Sequence, residues 1–300
     1  MKLSIIPKRK IWFSLSALLV GLAIVFMAVW GLNFGIDFVG GSSLDVKFTK
    51  QTPTVPEVKE ELADLNLQSL VVQPSGEREL ILRFEETDEE THQAVVGELK
   101  NFSQEKYGDL EELSFNSVGP SIGQTLKRKS FYAVVLVILA IIAYIAWAFR
   151  KVSKPIASWK YGITAVITLV HDCLIVLGVF SVLGYFYGME INSAFIAAIL
   201  TVLGYSVNDT IVIFDRIREN LPKSEEDFAG TINTSINQNI IRSINTSVTT
   251  MLVLLAIVIW GGASIQDFAL ALLIGIFIGT YSSIFLASPL LVFWEKRVKA

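Results

Sequence analysis

Six apolar runs decide most of what this sequence can become. They cover residues 11–32, 131–149, 161–185, 193–214, 244–260 and 268–294, and each is close to the roughly 20 residues that carry a helix across the hydrocarbon core of a bilayer. A soluble domain of this length carries about a quarter charged residues, whereas this chain of 300 residues is 18% charged and 52% hydrophobic. The expected class is a polytopic α-helical membrane protein with six transmembrane helices. The first run follows Lys2, Lys8, Arg9 and Lys10, the charge pattern of a signal peptide. It exceeds the roughly 7–15 residues of a signal-peptide core and ends without a small-x-small cleavage site, so it is expected to remain as the first span.

Lysine and arginine set the expected orientation. Arg150, Lys151, Lys154 and Lys160 lie between spans two and three, and Arg216, Arg218, Lys223 and Arg242 between four and five, while residues 186–192 and 261–267 have none. Both termini are therefore expected in the cytoplasm of a multi-pass protein of the cytoplasmic (inner) membrane. Lys127, Arg128 and Lys129 run against this bias, but they end a long segment, where charge counts for less.

That segment, residues 42–126, has soluble composition. Alternation marks strands at 43–48, 70–73, 80–84 and 113–118, helical spacing marks 55–65 and 88–107, and Pro74-Ser75-Gly76-Glu77 reads as a turn. The order βαββαβ is that of an α+β ferredoxin-like domain, outside the cytoplasm between spans one and two. Its acidic helices, and His92 on one of them, are expected on solvated faces. Before it, Phe34-Gly35-Ile36-Asp37-Phe38-Val39-Gly40-Gly41 suggests a tight turn or hinge, with Gly35, Gly40 and Gly41 permitting close backbone approach beside Asp37. The expected division is 1–33, 34–129 and 130–300.

The fourth apolar run contains Asn208 and Asp209. A carboxylate at mid-membrane is costly, roughly 2.5–3.5 kcal/mol on insertion scales, so it normally faces a partner, a cavity or an ion path. Tyr205 and Ser206, four and three residues earlier, share its face. On span five, Arg242, Thr246, Thr249 and Thr250 form a stripe at helical spacing. Arg242 and Asp209 are expected in the same half of the membrane, so the hold of Asp209 on a proton would depend on their separation. A static packing pair is the alternative. In span three, His171-Asp172 lies near mid-depth, where at most one of two consecutive residues faces the Asp209 helix. Asp215, three residues before Arg218, is expected in an interfacial ion pair. Gly275 and Gly279 permit close helix packing.

Several classes find no support in the residues. The chain has no phosphate-binding loop, no nucleophile elbow and no His/Cys/Asp set with metal spacing. Cys173 stands alone, so there is no intrachain disulfide, and a net charge of −3 gives no sign of a nucleic-acid partner. Neither an enzyme nor a cofactor or metal is expected. Work done by such a chain must draw on an ion gradient or a partner.

FGIDFVGG at 34–41, LVHD at 169–172, GYSVNDTIVIFDRIREN at 204–220 and NTSVTT at 245–250 resemble the SecF family of the bacterial Sec protein-export machinery. The resemblance implies a resistance-nodulation-division type fold in which this chain is one six-span half and SecD, in trans, is the other. It further implies proton-motive-force-driven help with late steps of export, alongside the SecYEG channel, SecA, YajC and the exported polypeptides. On that resemblance Asp209 and Arg242 take the family's proton-relay positions. Helical spacing, not the resemblance, offers Asn208, Ser206, Thr246, Thr249, Thr250, His171 and Asp172 as supporting polar residues, with structural hydrogen bonding as the alternative for His171 and Asp172. Two alternatives stay open: half of a small-molecule or lipid exporter of the same superfamily, and an assembly subunit without proton coupling.

Overall fold

The computed structural model describes residues 3–75, 78–150 and 156–299. In chain order the elements are α1 (Arg9–Trp30), α2 (Ile36–Val39), β1 (Gly41–Phe48), α3 (Val55–Glu61), β2 (Val71–Ser75), β3 (Glu79–Phe84), α4 (Glu89–Lys106) and β4 (Leu110–Val118). There follow α5 (Pro120–Ala148), α6 (Ser158–Tyr187), α7 (Ser193–Asn220), α8 (Phe228–Trp260), α9 (Ala263–Ser282) and α10 (Ser288–Lys299), the last two joined by a π-helical turn at Ser283–Ala287. Two compact units divide them: Met1–Asn33, Tyr132–Met189 and Ala194–Ala300 form one, Phe34–Phe131 and Glu190–Ser193 the other.

The second unit is the βαββαβ domain. Its antiparallel sheet has the order β2-β3-β1-β4, with a register shift in the β1–β4 pairing between Asp45 and Val46. Alternation sends Leu44, Val46 and Phe48 of β1 and Leu80, Leu82 and Phe84 of β3 to one face, where they meet Val95, Val96 and Leu99 of α4. Asp88 caps α4 by accepting the Thr91 backbone N–H at 3.0 Å. On α3, Glu57 accepts from the Thr54 backbone and hydroxyl, from Lys106 Nζ at 2.9 Å and from the Tyr107 hydroxyl at 2.7 Å. Those hydrogen bonds, led by the Thr54 hydroxyl, hold the Glu57 carboxyl well below the usual carboxylate range.

Two details differ from the sequence expectation. β2 runs on through Pro74 and Ser75, pairing Pro74 with Leu80; β2 is an edge strand, where the missing proline N–H costs no ladder bond. Gly76 and Glu77 of the expected turn lie outside the described residues, as do Lys151 and Lys154. His92 is not on a solvated face. It is only 5% exposed, stacks on Phe115 with ring centroids 3.8 Å apart, and has Glu89 and Glu112 carboxylate oxygens 3.2 and 3.0 Å from its two ring nitrogens. The cover comes from β4, distant in sequence, which helical periodicity within α4 does not register.

The Phe34–Gly41 segment forms α2 and leaves it through Gly40 and Gly41 at φ 83° and 121°. A Cβ on Gly40 would stand 2.9 Å from the Pro120 Cα, so side chains are excluded there by both conformation and space. The Asp37 carboxylate accepts the Ser193 backbone N–H at 2.7 Å, and Gly35 N–H donates to the Ile191 carbonyl at 2.9 Å. Arg83 Nε stands 2.8 Å from a Glu190 carboxylate oxygen.

Among the described residues six helices are long and apolar enough to cross a membrane: α1, α5, α6, α7, α8 and the α9–α10 run Ile265–Glu295. The protein is a multi-pass membrane protein. Within the membrane unit α1 packs on α6, and α9 on both α6 and α8. Gly275 and Gly279 lie against Val202 and Ser206 of α7, which lets α9 come close to it. Residues ahead of α1 form a strap along the start of α8. There Asn233 accepts from the Ile5 and Ile6 backbones at 2.9 and 3.2 Å, and Asn237 from Leu3 at 2.7 Å.

Candidate functional site

The site lies where α6, α7, α8 and the π-helical turn converge. Asp209, on α7, has one carboxylate oxygen accepting from the Ser243 hydroxyl of α8 at 2.5 Å and the other accepting from the Ser283 hydroxyl in the π-helical turn. A polar cavity of about 80 Å³ opens beside it, lined by Tyr205, Asn208, Asp209, Val212, Arg242, Ser243 and Thr246. Space of that size and polarity suits one or a few waters. A π-helical turn inserts an extra residue into the helix, and such turns often sit at functional sites. Here it brings Ser283 onto Asp209.

A second carboxylate lies deeper. Asp172 of α6 is 0% exposed. One of its oxygens accepts from the hydroxyls of Ser206 on α7 at 2.6 Å and Ser282 on α9 at 2.8 Å. The other stands 2.9 Å from Nδ1 of His171. Thus the neighbouring serines 282 and 283 hold different carboxylates, and Ser206, three residues before Asp209, holds Asp172. Above them Ser247 of α8 accepts from the Tyr205 hydroxyl at 3.3 Å and the Thr280 hydroxyl at 2.6 Å, tying α7 to α8 and α8 to α9.

The structure brings some expected residues together and separates others. Asn208 is exposed and lines the cavity. Arg242 lines it too, but its side chain is exposed and, among the described residues, forms no ion pair with Asp209. Thr246, Thr249 and Thr250 donate to carbonyls of their own helix, those of Arg242, Asn245 and Thr246. The buried face of α8 is one residue further round, at Ser243 and Ser247. Asp215 pairs with Arg218 at 2.6 Å on an exposed turn. Gly35, Asp37, Gly40 and Gly41 belong to the other unit and take no part in this cluster. Sequence reasoning missed Ser243, Ser247, Ser282 and Ser283. The available signal was weak: a serine doublet inside an apolar run, and serines one position away from the stripe that starts at Arg242.

The family model described as protein export membrane protein SecD/SecF, C-terminal, matches residues 98–297, and the SecD/SecF GG motif matches residues 25–52. The protein translocase subunit SecF of Thermobaculum terrenum is 41% identical, over 98% of this chain and 95% of the relative. The chain belongs to the SecF family. SecF of Anaerolinea thermophila is 40% identical over 98% of this chain and 94% of its own. In structure the chain is similar to the crystal structure of SecDF, a translocon-associated membrane protein, from Thermus thermophilus. The TM-score is 0.84 at 33% identity over 99% of this chain, which spans 39% of that longer one. Against SecDF in a super-membrane-facing form the TM-score is 0.69 at 32% identity.

Proposed function

We propose that this chain, with SecD, uses the proton-motive force to promote late steps of protein export across the cytoplasmic membrane. It works beside the SecYEG channel and SecA, with YajC as a further partner and the exported polypeptide as cargo. Both termini lie in the cytoplasm and residues 34–129 outside it, as the loop charges favour. The relatives named as protein translocase subunits support a role in transport.

The observation that carries this reading is Asp209, a carboxylate inside the helix bundle, held by two serines from different elements and beside a polar cavity. An ionised carboxylate only accepts hydrogen bonds, whereas a protonated one also donates. When a proton binds, one of the two oxygens becomes a donor, and the Ser243 or Ser283 hydroxyl facing it must turn from donor to acceptor. The remaining contact loses the extra strength of a charge-assisted bond. Proton binding therefore changes how α7 is fastened to α8 and to the π-helical turn. Arg242, on the cavity wall, adds a positive charge to the entrance and disfavours a second proton there.

The energies suit a cycle. One charge crossing a potential of about 150 mV yields about 3.5 kcal/mol, and moving a two-state element from 1:99 to 99:1 takes about 5.5 kcal/mol. One proton biases such an element and two exceed its requirement. The test is export of a secretory precursor into inverted membrane vesicles. Asp209→Asn is expected to abolish the gradient-dependent part while SecD still copurifies. Gradient-driven export at the wild-type rate in that variant would overturn the reading.

A further inference from the structure

We propose that His171 and Asp172 form a second proton-binding site in the membrane unit, with the proton on His171 Nε2 and Asp172 as its counter-charge. The inference builds on the proton-coupled reading of Asp209 but has its own readout.

Asp172 has no exposure, and His171 is 6% exposed. Among the described residues the ion-pair partner of Asp172 is His171; no lysine or arginine pairs with it. A buried carboxylate persists when it is paired or when it holds a proton. Ser206 and Ser282 supply hydrogen bonds to it but no charge. With Nδ1–H donating to Asp172 and Nε2 bare, the pair has a net charge of −1 in a buried place. One proton from water binding at Nε2 forms one N–H bond and brings that charge to zero, leaving the Nδ1–H contact intact.

The second observation is the atom that would take the proton. His171 Nε2 is buried and has no hydrogen-bond partner. A histidine kept only for packing in a bundle would be expected to satisfy both ring nitrogens. Here one nitrogen is fixed by a carboxylate and the other is open. The fixed one orients the ring, in the way carboxylates hold histidines whose far nitrogen handles protons. Titratable groups on the neighbouring elements include Tyr205 and Asp209 on α7 and Tyr281 on α9, whose ring is 6.4 Å from that of His171, with Cys173 on α6 itself; α1 carries Arg9 and Lys10 in its first turn and α10 carries Glu295.

The serine doublet couples this site to the first. Ser282 donates to Asp172 and Ser283 to Asp209, so a change at either carboxylate alters the same turn of the last span. Proton occupancy at one site is thereby felt at the other without any direct contact between the two carboxylates.

The chain has two histidines, so ¹⁵N-histidine labelling of this full chain, reconstituted with unlabelled SecD in lipid nanodiscs, gives spectra of His92 and His171 alone, and His92→Gln assigns them. A titration from about pH 5 to about pH 9 spans the ordinary histidine range. Nε2 of His171 is expected to gain a proton within it while Nδ1–H is retained. Asp172→Asn is expected to shift the Nδ1–H signal of His171, whose hydrogen-bond acceptor it alters, and Asp209→Asn to shift the His171 resonances through the serine doublet. A single protonation state for His171 across the range, in the unsubstituted protein, overturns the proposal even where Asp209→Asn abolishes export. Titration of His171 as described, with export indifferent to Asp209→Asn, keeps the second site and removes the gradient-coupled reading.

Discussion

Ser282 and Ser283, adjacent in the chain, donate to two different carboxylates, the buried Asp172 and the half-buried Asp209, from the junction where α9 becomes a π-helical turn. In a regular α-helix consecutive side chains point about 100° apart, so a doublet can reach acidic residues on two neighbouring helices only if both pass close to the same turn. Close passage of α7 is secured by Gly275 and Gly279. The local backbone, the packing of the last span and the two carboxylates are therefore one arrangement.

Removing either serine hydroxyl should destabilise the protein unequally. A hydrogen bond to a charged group contributes about 1.5–3 kcal/mol. Ser282→Ala leaves Asp172 short of a donor where no solvent reaches, while Asp209, after Ser283→Ala, keeps Ser243 and the adjoining cavity. Ser282→Ala is expected to cost about 2–3 kcal/mol and Ser283→Ala about half as much, measured by denaturant unfolding in detergent micelles. Equal losses would show that the cavity supplies Asp209 with nothing.

The glycines of α9 and α7 make a matched contrast. A Cβ on Gly279 would lie 2.9 Å from the Ser206 Cβ, so Gly279→Ala must push away the residue that donates to Asp172. Overpacking of this kind costs typically about 1–3 kcal/mol. Gly204, on the same helix as Ser206, has nothing within 4 Å of its would-be Cβ. Gly204→Ala should be neutral or stabilising by up to about 1 kcal/mol, through helix propensity alone. Thermal melts of the two variants in one detergent check the opposite signs.

What could be read from the residues alone was what short-range pattern encodes. Apolar runs and strand alternation are local, and they placed six spans and the βαββαβ order. The Asp209 anomaly is local too, because one carboxylate in an apolar run needs no partner to be noticed. Its partners were not legible. Helical spacing counted from Arg242, the most conspicuous polar residue of span five, selects Thr246, Thr249 and Thr250, yet the buried hydroxyls start one residue later at Ser243. A serine carries little hydropathy signal, and a π-helical turn changes the register that spacing arguments assume. His92 failed for a related reason: Glu112 and Phe115, which enclose it, lie on a strand that α4 meets only in the folded domain.

In the βαββαβ domain Glu57 makes stability depend on acid. Its folded carboxyl sits below its ordinary value of 4.5, chiefly through the Thr54 hydroxyl and then Lys106. The contribution is therefore complete above that ordinary value and declines as pH falls through and below it. Because the group is solvent-exposed, the effect should be modest. Glu57→Gln is expected to weaken the domain near neutral pH and to flatten the loss of amide protection in α3 and α4 on going from about pH 6 to about pH 3. Hydrogen exchange followed by mass spectrometry on the intact protein reads both. A wild-type acid slope in the variant would assign the pH dependence to other carboxyls.

The strap ahead of α1 offers the sharpest local test. Asn233 accepts from the Ile5 and Ile6 backbones and donates to the Leu3 carbonyl, while Asn237 accepts from Leu3 N–H and donates to the same carbonyl. With 33 residues α8 is about 50 Å long, well beyond the roughly 30 Å of hydrocarbon, and Asn233 and Asn237 sit within its first three turns. Ile5 and Ile6 are buried beneath the strap, so their side chains hold it even when one amide is lost. Asn233→Ala removes three hydrogen bonds to the strap and Asn237→Ala two, at a net value of about 1 kcal/mol each. Amides of residues 3–6 are expected to exchange tenfold or more faster in Asn233→Ala, with a smaller increase in Asn237→Ala, while α9 is unchanged. Equal protection in both variants and the wild type would show that burial of Ile5 and Ile6 alone fixes the strap.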